Sequence, residues 1–168
     1  MIPIARAIEA SLAGLVGGAL RQIDGVPGDD LNTWRPAAGL EDINTFAALL
    51  THLLGAGEYW TLEAVGGHDL GRDRDAEFRT QTTAAHLRDR ADRWLSAVGE
   101  VLGVLTEADL TRVPALDRGF SPTSGAADTP DDWTVADCLI HAIDHTATHL
   151  GHLQIQRQIW NAERATGS

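Results

Sequence analysis

Residues 133–160 read WTVADCLIHAIDHTATHLGHLQIQRQIW and carry His141, His145, His149 and His152 out of the chain's 7 histidines. The first three recur every fourth residue, and His152 follows three later. An α-helix turns about 100° per residue, so a step of four drifts only about 40° around the axis and rises about 6 Å. The imidazoles therefore form one narrow stripe. Val135, Leu139, Ile143, Leu150, Leu153, Ile155 and Ile159 keep helical spacing over a run too long for a strand. The stretch predicts a long final helix whose histidine stripe continues an apolar face. Thr134 and Asp137, a T-x-x-D pair, mark its beginning.

Two histidines at i and i+4 can chelate one ion from adjacent turns. His141 and His149 are about 12 Å apart along the axis, so the three together cannot. Spacing leaves two pairs open, His141 with His145 or His145 with His149. A third ligand must come from elsewhere in the chain. Cys138, the single cysteine, lies one turn before His141 and reads as a small buried apolar residue.

Upstream, Ile4, Ile8, Leu12, Leu15, Val16, Ala19 and Ile23 space a first helix over residues 4–23. Gly14, Gly17 and Gly18 weaken it and suit a close helix contact. An extended connector, LNTWRP, follows, with Arg35 held out of helix by Pro36. A second helix is expected over residues 43–65, with Asp42 as N-cap and Gly66-Gly67 as its stop. His52 lies on it, sharing a stripe with Leu49, Ala56 and Tyr59 at the edge of the apolar face. His68 to Asp75 reads as a loop and residues 76–103 as the third helix, with His86 on its solvated side. A long connection, residues 104–132, carries Pro114, Pro122, Pro130, Gly119 and Gly125. Its LTEADL start suits a helical turn, and its length suits a cover for the histidine stripe.

Four amphipathic helices and no convincing strand predict an all-α four-helix bundle with a long connection before the last helix. Bundles build metal sites in the core from facing helices, which makes His52 the natural partner of the stripe. Three protein ligands leave positions open for water or substrate, as catalytic sites require. The length, 168 residues, predicts one domain. A net charge of −11 disfavours nucleic acid as a partner. The longest uncharged run near the N-terminus, Ala10 to Leu20, is too short to span a bilayer, so no membrane partner is expected. One cysteine fits a reducing cytoplasm.

Three blocks stand in order: Trp34-Arg35-Pro36 before the second helix, His52-x5-Glu58-Tyr59-Trp60 within it, and Trp133-x7-His141-x3-His145-x3-His149-x-Gly151 in the last. With these the chain resembles the DinB-like superfamily of four-helix-bundle metalloproteins over nearly its whole length. The resemblance implies that His52, His145 and His149 are the metal ligands and that His141 is a neighbour. Asp144 stands where Glu is frequent in that family, and His152 where Gln is frequent. Three neutral imidazoles suit Zn first, with Ni, Fe or Co as alternatives, whereas Mg and Ca prefer oxygen. Glu58, about 240° around the helix from His52, is expected at the surface or behind the ligands.

Relatives in the superfamily include mycothiol- and bacillithiol-dependent S-transferases and a thiol-dependent isomerase. The resemblance therefore implies a metal-dependent enzyme acting with a low-molecular-weight thiol on a small electrophile. His141 and His152 are the candidates for proton transfer. Two other readings stand beside this one: a non-catalytic metal or small-molecule binder of the stress response, and a metal-dependent hydrolase. Homodimers are common in such proteins.

Overall fold

The computed structural model describes residues 1–36, 43–114 and 133–166. Helix α1 (Pro3–Arg21) starts on a proline, whose missing N–H costs nothing in a first turn. It buries one stripe, Ala5, Ile8, Leu12, Val16 and Ala19. Ile4, expected in that stripe, is 50% exposed because it sits one residue, about 100°, off it. Of the three glycines, Gly18 faces the final helix closely: a Cβ there would lie 3.1 Å from Leu150. Gly14 has open space around it. Among the described residues α1 alone is long and apolar enough to cross a membrane by length and composition. Its apolar stripe is packed inside the bundle.

The connector departs from its expected extended form. Residues Gly28–Thr33 form a short helix, α2, and only from Trp34 is the backbone extended. Asn32 on α2 exchanges two hydrogen bonds with the backbone of Thr82, at 2.9 and 2.8 Å. The Trp160 indole donates to Asp30 at 2.7 Å, which ties α2 to the last helix. Trp34 stacks on Phe46 with ring centroids 5.5 Å apart.

Helix α3 (Phe46–Glu58) is capped by Thr45, whose hydroxyl accepts from the Ala48 N–H at 3.2 Å. Asp42, expected as the cap, lies outside the described residues. The helix widens into a π-helical stretch, Tyr59–Val65, and ends at Gly67, where φ is +72°. Within that stretch the Trp94 indole donates to Thr61 at 2.9 Å, and Thr61 donates to the Gly57 carbonyl at 2.7 Å.

The expected third helix is two helices. Asp73 caps α4 (Arg74–Glu77) by accepting from Ala76, and Thr83 caps α5 (Ala84–Val104) by accepting from His86. Two caps make two starts, and the Thr82 N–H between them goes to Asn32 instead of a helical carbonyl. The break leaves Glu77 on its own turn, 6% exposed and aimed at α3.

A 3₁₀ turn, Ala108–Thr111, occupies the predicted LTEADL position. Its end is tied to the start of α6 (Val135–Thr166) by the Val135 N–H donating to Arg112 O at 2.9 Å. Thr134 and Asp137 cap that helix reciprocally, at 2.8 Å and 3.3 Å. The expected cover of the histidine stripe by residues 115–132 falls outside the described residues. Helix α1 packs between α5 and α6, and α3 packs between the same two. The four long helices thus close a ring in the order α1–α6–α3–α5 around an apolar core, the all-α bundle expected. No strand occurs among the described residues.

Candidate metal centre

Helices α3 and α6 are ring neighbours, and their contact brings His52 against the stripe. His52 is 6% exposed, while His145 and His149 are half-buried. The His52 ring lies 5.0 Å from that of His145 and 4.9 Å from that of His149. The two α6 rings are 4.3 Å apart, with their Nε2 atoms at 3.2 Å. One nitrogen from each of the three falls within 4.8 Å of the others. Two imidazole nitrogens each about 2.0–2.1 Å from a tetrahedral ion would be about 3.3 Å apart, the spacing that His145 and His149 show, and a set of imidazole donors is of the kind that suits a transition metal.

A carboxylate decides which nitrogen His52 offers. Its Nδ1 is 2.8 Å from Glu77 Oε2. An ionised carboxylate only accepts, so Nδ1 carries the hydrogen, and Nε2 is the nitrogen that the neutral ring offers to a ligand. Arg72 holds Glu77 from behind, with Nε donating to Oε1 at 2.6 Å and Nη2 to Oε2 at 2.9 Å. Burial opposes ionisation of Glu77, yet the hydrogen bonds from His52 and Arg72 and the charge of Arg72 outweigh it and hold the carboxyl below its ordinary value. The carboxylate approaches the α3 backbone at Gly55, where a Cβ would collide with Glu77 Oε1.

Burial keeps the α6 histidines neutral. Burial, then the proximity of His149, His52, His141 and Arg72, pushes His145 down to about 2. Burial, then His52 and His152, pushes His149 down to about 4. Both are therefore unprotonated at neutral pH, the state a metal requires. Among the described residues His145 Nδ1 is buried without a hydrogen-bond partner, whereas His149 Nδ1 lies 3.3 Å from His152 Nδ1. One of that last pair donates and the other accepts.

His141 takes another place. Its ring packs on Trp60 at 4.8 Å and on Trp133 at 5.1 Å, with His145 at 5.9 Å. Burial lowers its pKa against the opposing pull of Asp144. His152 is exposed, on the rim beside His149 at a ring distance of 5.2 Å. His68 and His86 are exposed and stand outside the cluster. Glu58 forms a paired contact with Arg90 on α5, at 2.9 and 2.6 Å, and is the anchor of that ion pair, not the carboxylate behind His52. Cys138 is fully buried, and burial followed by the charge of Asp137 raises its thiol to about 11, so it carries no nucleophile. Glu77 and Arg72 escaped the sequence reading. Glu77 lies 25 residues from His52, and only the break between α4 and α5 turns it inward.

Fold and site together define an all-α bundle with a three-histidine cluster, between two neighbouring helices, that can hold a metal. The family model for mycothiol-S-transferases matches residues 7–162, and the chain belongs to this DinB-like family. Its fold is shared by a solved structure, the "conserved protein of locus from Enterococcus faecalis". That structure has 16% sequence identity and a TM-score of 0.69, over 95% of this chain and 98% of the other. No curated protein matches the chain.

Proposed function

We propose that the protein is a metal-dependent transferase that joins a low-molecular-weight thiol of the mycothiol type to a small electrophile. The observation that carries this reading is the convergence of three imidazole nitrogens within 4.8 Å in a chain matched by the mycothiol-S-transferase model. His52, His145 and His149 are the proposed ligands, with zinc the expected ion and Ni, Fe or Co the alternatives. When bound, such an ion lowers the pKa of a coordinating thiol and so supplies thiolate at neutral pH.

The chain's own residues do the rest. Glu77, clamped by Arg72, fixes the tautomer and orientation of His52. Three protein ligands leave room for the thiol sulfur. In the transfer, sulfur forms a bond to the electrophilic carbon and the bond from that carbon to its leaving group breaks, taking the electron pair. The thiol's proton leaves to solvent, and His152 on the rim is placed to pass it on. A net charge of −11 supports a small-molecule partner over a polyanion.

The test is elemental mass spectrometry of untagged protein followed by a thiol-dependent turnover assay. One metal per chain, with turnover that disappears in His145→Ala, is the expected result. Absence of metal after reconstitution with each of the four ions would reject the reading.

A further inference from the structure

Glu58 belongs to the block His52-x5-Glu58-Tyr59-Trp60, yet the metal centre as described gives it no part. Its carboxylate accepts twice from the Arg90 guanidinium, at 2.9 and 2.6 Å. Both side chains are largely withdrawn from water, Arg90 being 25% and Glu58 19% exposed. Desolvation offsets much of the attraction in such a pair, so stability alone is a weak reason for it.

The pair stands where α3 has no side chain. Gly55 follows His52 by three residues, one turn along nearly the same face. A Cβ there would collide with the Glu77 carboxylate, whose Cδ lies 2.9 Å from that point, and Arg90 Nη2 lies 3.3 Å from the same point. Glu77 and Arg90 therefore meet over one bare turn of backbone. A glycine inside a helix costs stability relative to alanine, and what this one admits is the carboxylate that orients His52.

Glu77 thus has two guanidiniums beside it, Arg72 bonded to both of its oxygens and Arg90 from α5. Burial opposes the charge of Arg90, yet the hydrogen bond and charge of Glu58, then the charge of Glu77, outweigh it and raise its pKa. Glu58 engages Nε and Nη2 of Arg90. The tethered cation attracts Glu77 without taking the oxygen that accepts from His52.

We propose that Arg90, tethered by Glu58 and admitted by Gly55, is a positioning residue for the metal centre: it holds the Glu77 carboxylate on the α3 backbone and so keeps the His52 hydrogen on Nδ1. The link to metal rests on His52 being a ligand; the link to the His52 tautomer does not.

The tautomer is read in the metal-free full chain at neutral pH by long-range ¹H–¹⁵N NMR, and zinc affinity by competition with a chelator. The wild type should show the hydrogen on Nδ1 alone. Arg90→Gln should give a mixture of tautomers and weaken zinc about three- to tenfold, less than loss of the orienting carboxylate itself. The pair borders a cleft of about 260 Å³, so water can fill the space that the shorter side chain leaves. Arg90→Lys, which keeps the charge, should restore both readings to within about twofold. Gly55→Ala should weaken zinc about tenfold or more, with no further loss when it is added to Glu77→Ala. Gly57→Ala is the control for fold damage, because its Cβ would collide with buried Trp94 and not with Glu77. It should lower stability and leave the tautomer in place.

A wild-type tautomer in Arg90→Gln, additive losses in the double variant, or an equal shift in Gly57→Ala would each overturn the proposal. The expected tautomer changes in a chain that binds no zinc would uphold the positioning of His52 and remove the metal reading. Zinc binding indifferent to both Arg90→Gln and Gly55→Ala would keep the metal reading and remove the proposal.

Discussion

The two walls of the histidine cluster are built on opposite plans. On α3, His52 is buried and its outward nitrogen is committed to Glu77, which Arg72 holds in turn. On α6, His145 and His149 are half-buried; His145 Nδ1 has no partner among the described residues, and His149 leans on the exposed His152. One wall is oriented by a buried ionic chain before any ligand arrives. The other is made of neutral imidazoles held by helix geometry and by contact with their own helix's histidines. If the three are the ligands proposed, a preset imidazole opposite two adaptable ones would bind an ion firmly and still admit a further ligand from the open side.

Removing a proposed ligand is the harshest way to break this comparison. His52→Ala and His149→Ala should each abolish stoichiometric metal, as read by elemental mass spectrometry. Loss in only one of them would mean that the two walls do not share an ion. Glu77→Ala comes next. It should weaken metal binding by about 10–100-fold, measured by competition with a chelator. It should also destabilise the metal-free chain, because the Arg72 guanidinium loses its buried carboxylate. An unchanged metal affinity would show that the α3 wall needs no orienting carboxylate.

Acid sharpens the contrast further. His149 has a folded pKa near 4, below its ordinary 6.5, so the folded chain binds fewer protons than the unfolded chain between those values. Stability is therefore complete above about pH 6.5 and falls as pH drops toward 4. The lowered carboxyl of Glu77 acts in the same direction lower down, its contribution being lost as pH falls below the ordinary 4.5. Chemical denaturation of the metal-free protein at pH 7, 6, 5 and 4 should show this decline, and His149→Gln should make it shallower, the part that belongs to His145 remaining. The smallest effect belongs to the rim. His152→Ala should lower metal affinity only a few-fold, toward the low end for a residue behind a ligand, and His141→Phe should leave it unchanged. A large loss in His141→Phe would move the ligand pair one turn toward the helix start.

How legible this was in the sequence differs by element. The fourfold spacing of His141, His145 and His149 showed a helix and a stripe, because helical period is a local property. The reciprocal Thr134–Asp137 cap was equally local and appears as read. Spacing did not choose between two histidine pairs. The resemblance pointed to His145 with His149, and the packing of α3 on α6 groups these two with His52 while Trp60 and Trp133 hold His141 aside. The third helix was misread because Thr83 supplies a second cap inside a pattern that looked continuous. Glu77 was invisible for the same reason: as part of one long helix it would have had no special direction.

Sequence by itself determined the all-α class and the long final helix with its histidine face. These depend on period, capping and side-chain chemistry, which act over a few residues. Only the tertiary structure decided that His52 meets His145 and His149, that Glu77 and not Glu58 stands behind His52, and that Ile155 is exposed instead of filling the core. Those outcomes depend on which helices are neighbours and how each is rotated about its axis. That rotation is set by the fit of whole apolar faces against one another, a sum over the core that no local spacing contains.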